Sequence, residues 1–266
     1  MSDLFVTTRV LITVMTYPHP SKNWRELVCT AGISDSGEWI RLYPIDYRYR
    51  PTDQRFRKYQ WISVGLRKGG KHNDNRRESH QPDLKSLKIL GEPLSTKNNW
   101  RERRLIIDPL PVYTRLQLED LYEKERISLG VVQPTEVLDL KVERANPEWK
   151  PEWQAALNQF DLFDGLPKHL EKIPVKFSYL FRCEDSDKPH TAMIEDWELG
   201  VLFLKERERR GSEKLAIESV RHNFLEVMCA PTCDTRFFMG TTWPHNSWVV
   251  VGVFYPQKVA QMELDV

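Results

Sequence analysis

The sequence predicts an α+β protein in two parts: a small antiparallel β-barrel over residues 1–90, packed on a mixed α+β body over residues 91–266. Three observations carry that expectation. A chain of 266 residues has room for one large domain or two small ones, at roughly 150 residues per domain. Hydrophobic residues make up 40% and charged residues 29%, enough apolar side chain for a real core. Finally, the first ninety residues hold short β-branched and aromatic runs with turns between them and no helical periodicity, whereas helical and strand patterns mix later.

Residues 5–17, 26–33, 38–43 and 59–66 are rich in Val, Ile, Thr, Trp and Tyr and read as strands. Turn chemistry separates them: Pro18-His19-Pro20-Ser21, then Ser34-Asp35-Ser36-Gly37. The second gap is short and ends in Gly, which predicts a hairpin between 26–33 and 38–43. Strands joined by tight turns fit a barrel of OB or SH3-like kind. The polar stretch 69–82 reads as an exposed loop. Beyond it, residues 95–107 open a helix capped by Ser95 or Thr96, 116–126 form a second, and 137–143 alternate as a strand. Trp149 and Trp153 stand one helical turn apart. Val175, Phe177, Tyr179 and Phe181 alternate with polar neighbours as a half-buried strand. A helix over 195–210 stops at Gly211, Ser212 caps another over 213–228, and strands at 236–240 and 247–255 close the chain.

The formal net charge of +1 hides a split. Residues 1–111 carry 20 basic and 12 acidic side chains, and the remainder 19 and 26, so a net of +8 opposes a net of −7. Such asymmetry points to a polyanion-facing module on one side, or to two halves that neutralise each other where they meet. No apolar run approaches the roughly 18–20 residues of a membrane span. The N-terminus lacks a basic leader, and the four cysteines are too few for a secreted disulfide scaffold, so no membrane partner and a cytoplasmic location are expected.

Residues 41–77 concentrate the charge, with eleven basic residues against three acids, and Tyr43, Tyr47, Tyr49, Phe56, Tyr59 and Trp61 interleaved. Guanidinium groups neutralise phosphates and aromatic faces stack unpaired bases, the mixture that single-stranded nucleic acid requires. Arg41, Tyr47, Arg48, Tyr49, Arg50, Arg55, Arg57, Lys58, Arg67 and Lys68 are therefore the candidate DNA or RNA contacts. In Tyr47-Arg48-Tyr49-Arg50, strand alternation would put the tyrosines on one face and the arginines on the other. The plainer alternative is a barrel core of aromatics under a solvated arginine face.

The stretch Leu27-Val28-Cys29-Thr30-Ala31-Gly32-Ile33, a turn, then Gly37-Glu38-Trp39-Ile40-Arg41-Leu42-Tyr43-Pro44 resembles the opening of OB-type modules of prokaryotic conflict and defence proteins. The resemblance covers about residues 26–62. Those modules carry a Cys-x-Ala-Gly stretch followed by a Trp-Ile-Arg-Pro-like one, and here Leu42-Tyr43 stand between Arg41 and Pro44. It implies nucleic-acid association in antiviral defence, with a partner protein of the same system, and no catalytic residue.

Two constellations lie outside that segment. Cys183 and His190 follow one strand and Cys229 and Cys233 follow one helix, which is the donor arithmetic of a structural zinc site, although scattered buried cysteines are the plainer explanation. His190, Asp196 and Glu198, with His222 or His245, supply the groups of a metal-dependent nuclease, yet Asp196 also suits an N-cap. Nucleophile-elbow, dinucleotide and phosphate-loop motifs are absent, and Cys29 reads as core. The expectation is a non-catalytic nucleic-acid-binding protein. The alternatives are that nuclease and an adaptor whose basic half docks an acidic protein.

Overall fold

The structure is a computed structural model and describes residues 4–21, 25–68, 74–158, 170–242 and 246–259. It is a mixed α+β architecture of several sheets with a strand-rich N-terminal part. The chain opens with β1 (Val6–Met15), a small hairpin of β2 (His19–Ser21) and β3 (Arg25–Leu27), then β4 (Thr30–Ser34) and β5 (Trp39–Leu42). Two single 3-10 turns, Tyr47–Tyr49 and Thr52–Gln54, lead to β6 (Trp61–Lys68) and β7 (Ser79–Leu90). Five of these strands close on themselves in the order β1-β4-β5-β7-β6. Every pair in the ring is antiparallel except β5 with β7. The ring closes that way because β6 returns to pair with β1, leaving β7 to fill the gap beside β5.

The inside of the ring is filled by Val10, Ile12, Ile40, Leu42, Ile62, Val64 and Leu66 around Phe56. β1 does not alternate: it is buried continuously from Val10 to Met15. Its second face, with Ala31 and Ile33 beside Val14, packs on Val131, Phe238, Val249 and Val251 of the body. A strand covered on both sides loses the period-2 signal. Gly32 permits the closest approach, since a Cβ there would lie 2.1 Å from the Leu11 carbonyl oxygen.

The body comprises α1 (Lys97–Ile107), β8 (Val112–Tyr113), α2 (Arg115–Glu125), β9 (Leu129–Val132), β10 (Glu136–Arg144) and α3 (Pro151–Asn158). It continues with β11 (Val175–Cys183), β12 (Ser186–Met193), α4 (Trp197–Arg210), α5 (Glu213–Arg221), β13 (Arg236–Thr241) and β14 (Trp248–Phe254). Strands β10-β11-β12 form one sheet and β14-β13-β9-β8 another. Between them Phe177, Tyr179, Phe181, Phe203, Phe224 and Phe237 make the largest aromatic core, with Tyr179 and Phe237 stacked at 4.6 Å. Thr114 and Gln117 close a capping box on α2, Asp196 caps α4 through the Glu198 N–H, and Gly211 ends α4 with a φ of +63°.

Several expectations need correction. Residues 47–50 form no strand: Tyr47–Tyr49 is a 3-10 turn, so the expected alternation of rings and guanidiniums does not exist. The polar stretch taken as a loop ends at Ser79, where the twelve-residue β7 begins; its Ser/His/Lys-rich sequence hid a strand that draws order from its neighbours. Leu129 and Gly130 open the buried β9, with no strand expected there from the sequence. The helix after Ser212 turns π-helical over His222–Val227. Among the described residues no helix is long and apolar enough to cross a membrane.

Candidate functional site

Most of the basic side chains that the sequence marks are engaged within the fold. Arg48 pairs with buried Glu26 at 2.9 Å, and Arg50 donates to the Leu84 carbonyl at 2.8 Å and to Gln54. Arg57 meets Glu92 at 2.6 Å on the surface, and Arg67 donates to Gln81 at 2.5 Å and lies over the Phe5 ring. Tyr47 donates to the Phe56 carbonyl and sets its ring edge-on to Phe56 and Trp197, while Tyr49 ends the same 3-10 turn, half-buried. Lys58 is buried at the seam with the body, 2.6 Å from Asp196 and 3.1 Å from Glu198. Burial works against its charge, but the two carboxylates prevail and raise its pKa. Arg55 donates only to the Arg50 and Arg48 carbonyls, and Lys68 stands exposed at the end of β6. Neither has an acidic partner among the described residues. Lys71 lies outside the described residues.

Arg41 goes elsewhere. It points from β5 into the seam, 6% exposed, and its Nη2 donates to the Ser128 carbonyl and hydroxyl at 3.1 Å each. Ser128 in turn is held by Glu78, which accepts its backbone N–H at 2.9 Å and its hydroxyl at 2.8 Å. Arg76, 8% exposed, donates to both carboxylate oxygens of Asp74 at 2.8 and 2.7 Å and to the Thr241 carbonyl at 3.0 Å. Burial opposes the Asp74 charge, but hydrogen bonds from Arg76 and Ser79 hold its carboxyl down at about 2. Burial, reinforced by Arg76, lowers Arg41 to about 10, so it stays charged at neutral pH.

Arg41, Asp74 and Arg76 line a cavity of about 510 Å³, within the ~300–1,000 Å³ range of small-molecule sites. The connection from β1 to β4 contributes Thr16, His19, Leu27 and Cys29; β5 and its end contribute Arg41, Leu42 and Tyr43; the approach to β7 contributes Asp74 and Arg76. The body completes it with Trp153 of α3, Glu195, Thr241, Val249 and Val251. Cys29 is no nucleophile at neutral pH, because burial pushes its thiol up. Sequence reasoning marked Arg41 but missed the cavity. Its other walls come from Arg76, Glu195, Thr241 and Trp153, which no local pattern connects.

Neither set of metal-binding residues comes together as expected, although two members of the first do. Among the described residues, Cys183, Asp185 and His190 bring one donor atom each within 4.8 Å of the others, and this trio could hold a divalent ion through sulfur, oxygen and nitrogen. Cys229 and Cys233 do not converge on it, because their thiols are directed at the Phe224 and Val227 carbonyls. The tetrahedral Cys183/His190/Cys229/Cys233 knot is therefore not formed. The nuclease trio is not assembled either: Asp196 and Glu198 share Lys58, while His190 sits on β12 beside Cys183. His222 pairs with Glu226 on the surface, and His245 lies outside the described residues.

The chain belongs to the family described as a domain of unknown function (DUF8757), whose model matches residues 113–265, more than half of the sequence. A second model, also described as a domain of unknown function (DUF8758), matches residues 6–109. Comparison with curated proteins returns no match. Among solved structures, the chain is similar to a murine DNA-binding protein bound with double-stranded DNA, at 8% identity and a TM-score of 0.32, covering 97% of this chain and 99% of that one. It is also similar to a replication protein A heterotrimer bound to single-stranded DNA, at 12% identity and a TM-score of 0.28, covering 97% and 67%.

Proposed function

We propose that this protein is a non-catalytic nucleic-acid-binding module. The observation that carries the reading is where the cavity opens. The ring order β1-β4-β5-β7-β6, with its single parallel pair, is that of an OB barrel. OB barrels bind oligonucleotides on the second and third strands and with the loops joining strands one to two and four to five. In this chain those parts are β4, β5, described residues between β1 and β4 (Thr16, His19, Leu27 and Cys29) and residues 74–78 ahead of β7, and three of them supply walls of the cavity. Arg55 and Lys68 add unpaired positive charge on the barrel. The resemblance of residues 26–62 to OB-type modules of conflict and defence proteins supports a setting in prokaryotic antiviral defence, where the acidic body would face a partner protein.

The test is fluorescence anisotropy of labelled single-stranded DNA, single-stranded RNA and duplex over a salt series. Binding to a single strand is expected at low salt, and log K should fall by about 0.7 per decade of salt for each phosphate neutralised. The double variant Arg55→Ala/Lys68→Ala is expected to bind with a shallower slope. No detectable binding of any of the three at low salt overturns the reading. The metal proposal is confined to Cys183, Asp185 and His190. Zinc added to the purified protein is expected to be retained at one equivalent and lost in His190→Ala, by elemental analysis; equal retention in that variant removes the assignment.

A further inference from the structure

We infer that the cavity at the barrel–body seam receives a single nucleobase, not a phosphate. The inference rests on the nucleic-acid reading for the kind of ligand, but on the cavity itself for which part of the ligand enters. Two buried polar atoms of its lining residues have no partner among the described residues. One is Nε of Arg41, a side chain 6% exposed whose other contacts go to Ser128. The second is Oγ1 of Thr241, a residue 3% exposed. Leaving a buried donor or hydroxyl unsatisfied costs about 1–3 kcal/mol, so such atoms mark places where a partner from outside is missing. Glu195 adds a carboxylate, partly exposed at the rim, that makes no ion pair or hydrogen bond among the described residues.

The charge balance decides between base and phosphate. Two guanidiniums line the cavity, but Arg76 is already held bidentately by Asp74, Glu78 and Asp74 offset Arg41, and Glu195 adds a further acid to the lining. A dianion would meet an acid at the wall and a cation already paired. A neutral ring with donors and acceptors on its edge would meet a donor (Arg41 Nε), an acceptor (Glu195) and a hydroxyl that serves as either (Thr241). Leu27, Leu42, Val249 and Val251 supply apolar walls, and Tyr43, His19 and Trp153 supply ring faces. Stacking between apolar or aromatic side chains with hydrogen bonds to the base edge is how a base taken out of its stack is read. The phosphates would then stay outside, on the barrel cations.

The experiment separates this inference from the nucleic-acid reading by omitting the phosphate. The intact protein is titrated by calorimetry with adenosine, guanosine, cytidine, uridine and thymidine, with ribose 5-phosphate and inorganic phosphate as competitors. One or more nucleosides are expected to bind with an affinity independent of salt, and neither phosphate competitor should displace them. Thr241→Val keeps the shape and removes a hydroxyl that has no partner inside the fold, so it is expected to fold as stably as the parent while binding the nucleoside about ten-fold more weakly. Trp153→Ala is expected to weaken binding by a similar factor through lost stacking. Displacement by inorganic phosphate, or unchanged affinity in both variants, overturns the inference. If oligonucleotides bind but no nucleoside does, the inference fails and the nucleic-acid reading stands. If nucleosides bind but no oligonucleotide does, the cavity assignment stands and the nucleic-acid reading fails.

Discussion

Two sets of basic residues in the barrel, close in sequence, live in opposite circumstances. Arg48, Arg50 and Lys58 sit in the most basic and aromatic stretch of the chain, yet each is committed to Glu26, Leu84 or Asp196 within the fold. Arg41, at the edge of that stretch, is more deeply buried than Arg48 or Arg50 and, like Arg50, keeps its Nε without a partner among the described residues, but it alone of the four lines an open cavity. Local density of cations therefore identified the stitching of the crossover between β5 and β6. What sets Arg41 apart is the cavity beside it, whose walls come from distant segments of the chain.

The comparison can be broken at its buried end with the largest effect. Glu78→Ala removes the acceptor of the Ser128 and Leu129 N–H groups and a carboxylate that compensates Arg41 and Arg76. A loss of about 3–5 kcal/mol in urea unfolding is expected, as for a buried charge network with one member removed. A loss below ~1 kcal/mol would show the seam to be soft. Lys58→Met leaves Asp196 buried without its cation and is expected to cost about 3 kcal/mol, with part recovered in Lys58→Met/Asp196→Asn, where the cap survives without the charge. Full additivity of the two substitutions would contradict the pairing.

A pH series sharpens the same contrast. Burial pushes the Glu26 carboxyl up to about 7 from its ordinary 4.5, although Arg48 pulls it down, and one of its oxygens has no partner. The folded state thus binds a proton that the unfolded state has released, so this contribution is fully present below about 4.5 and is lost as pH rises through 7. Stability is expected to fall by roughly 3 kcal/mol across that window, and Glu26→Gln should flatten the slope. The smallest effect belongs to the surface: Arg57→Ala breaks an exposed pair with Glu92 and is expected to change stability by less than about 0.5 kcal/mol. A larger change would place Arg57 among the structural arginines.

How far the sequence was legible varied with how local the signal was. Four barrel strands, the β4–β5 hairpin and the caps at Asp196 and Ser212 rest on side chains acting on their own or the next turn of backbone. Asp196 was readable as a cap, and it is one. Lys58 was readable only as a cation, because its partner lies 138 residues away. β7 was invisible because its hydrogen bonds come from β5 and β6, so its own composition needed no strand preference. The cysteines were readable as donors, but the hairpin between β11 and β12 gathers Cys183 with Asp185 and His190 and leaves Cys229 and Cys233 to carbonyls on the turn beyond α5.

By itself the sequence determined an α+β chain with a barrel-forming N-terminal part, a basic half and an acidic half, because periodicity, turn residues and charge are additive along a chain. It also raised the alternative that the two halves neutralise each other, and ion pairs from Lys58 to Asp196, Arg77 to Glu125 and Arg104 to Asp234 do cross between them. The tertiary structure alone decided which charges are spent and which remain available. Availability is a property of the neighbours a side chain meets in three dimensions: Arg41, Thr241 and Glu195 share a wall only because the closed barrel docks its β1 and β4 face on β9, β13 and β14.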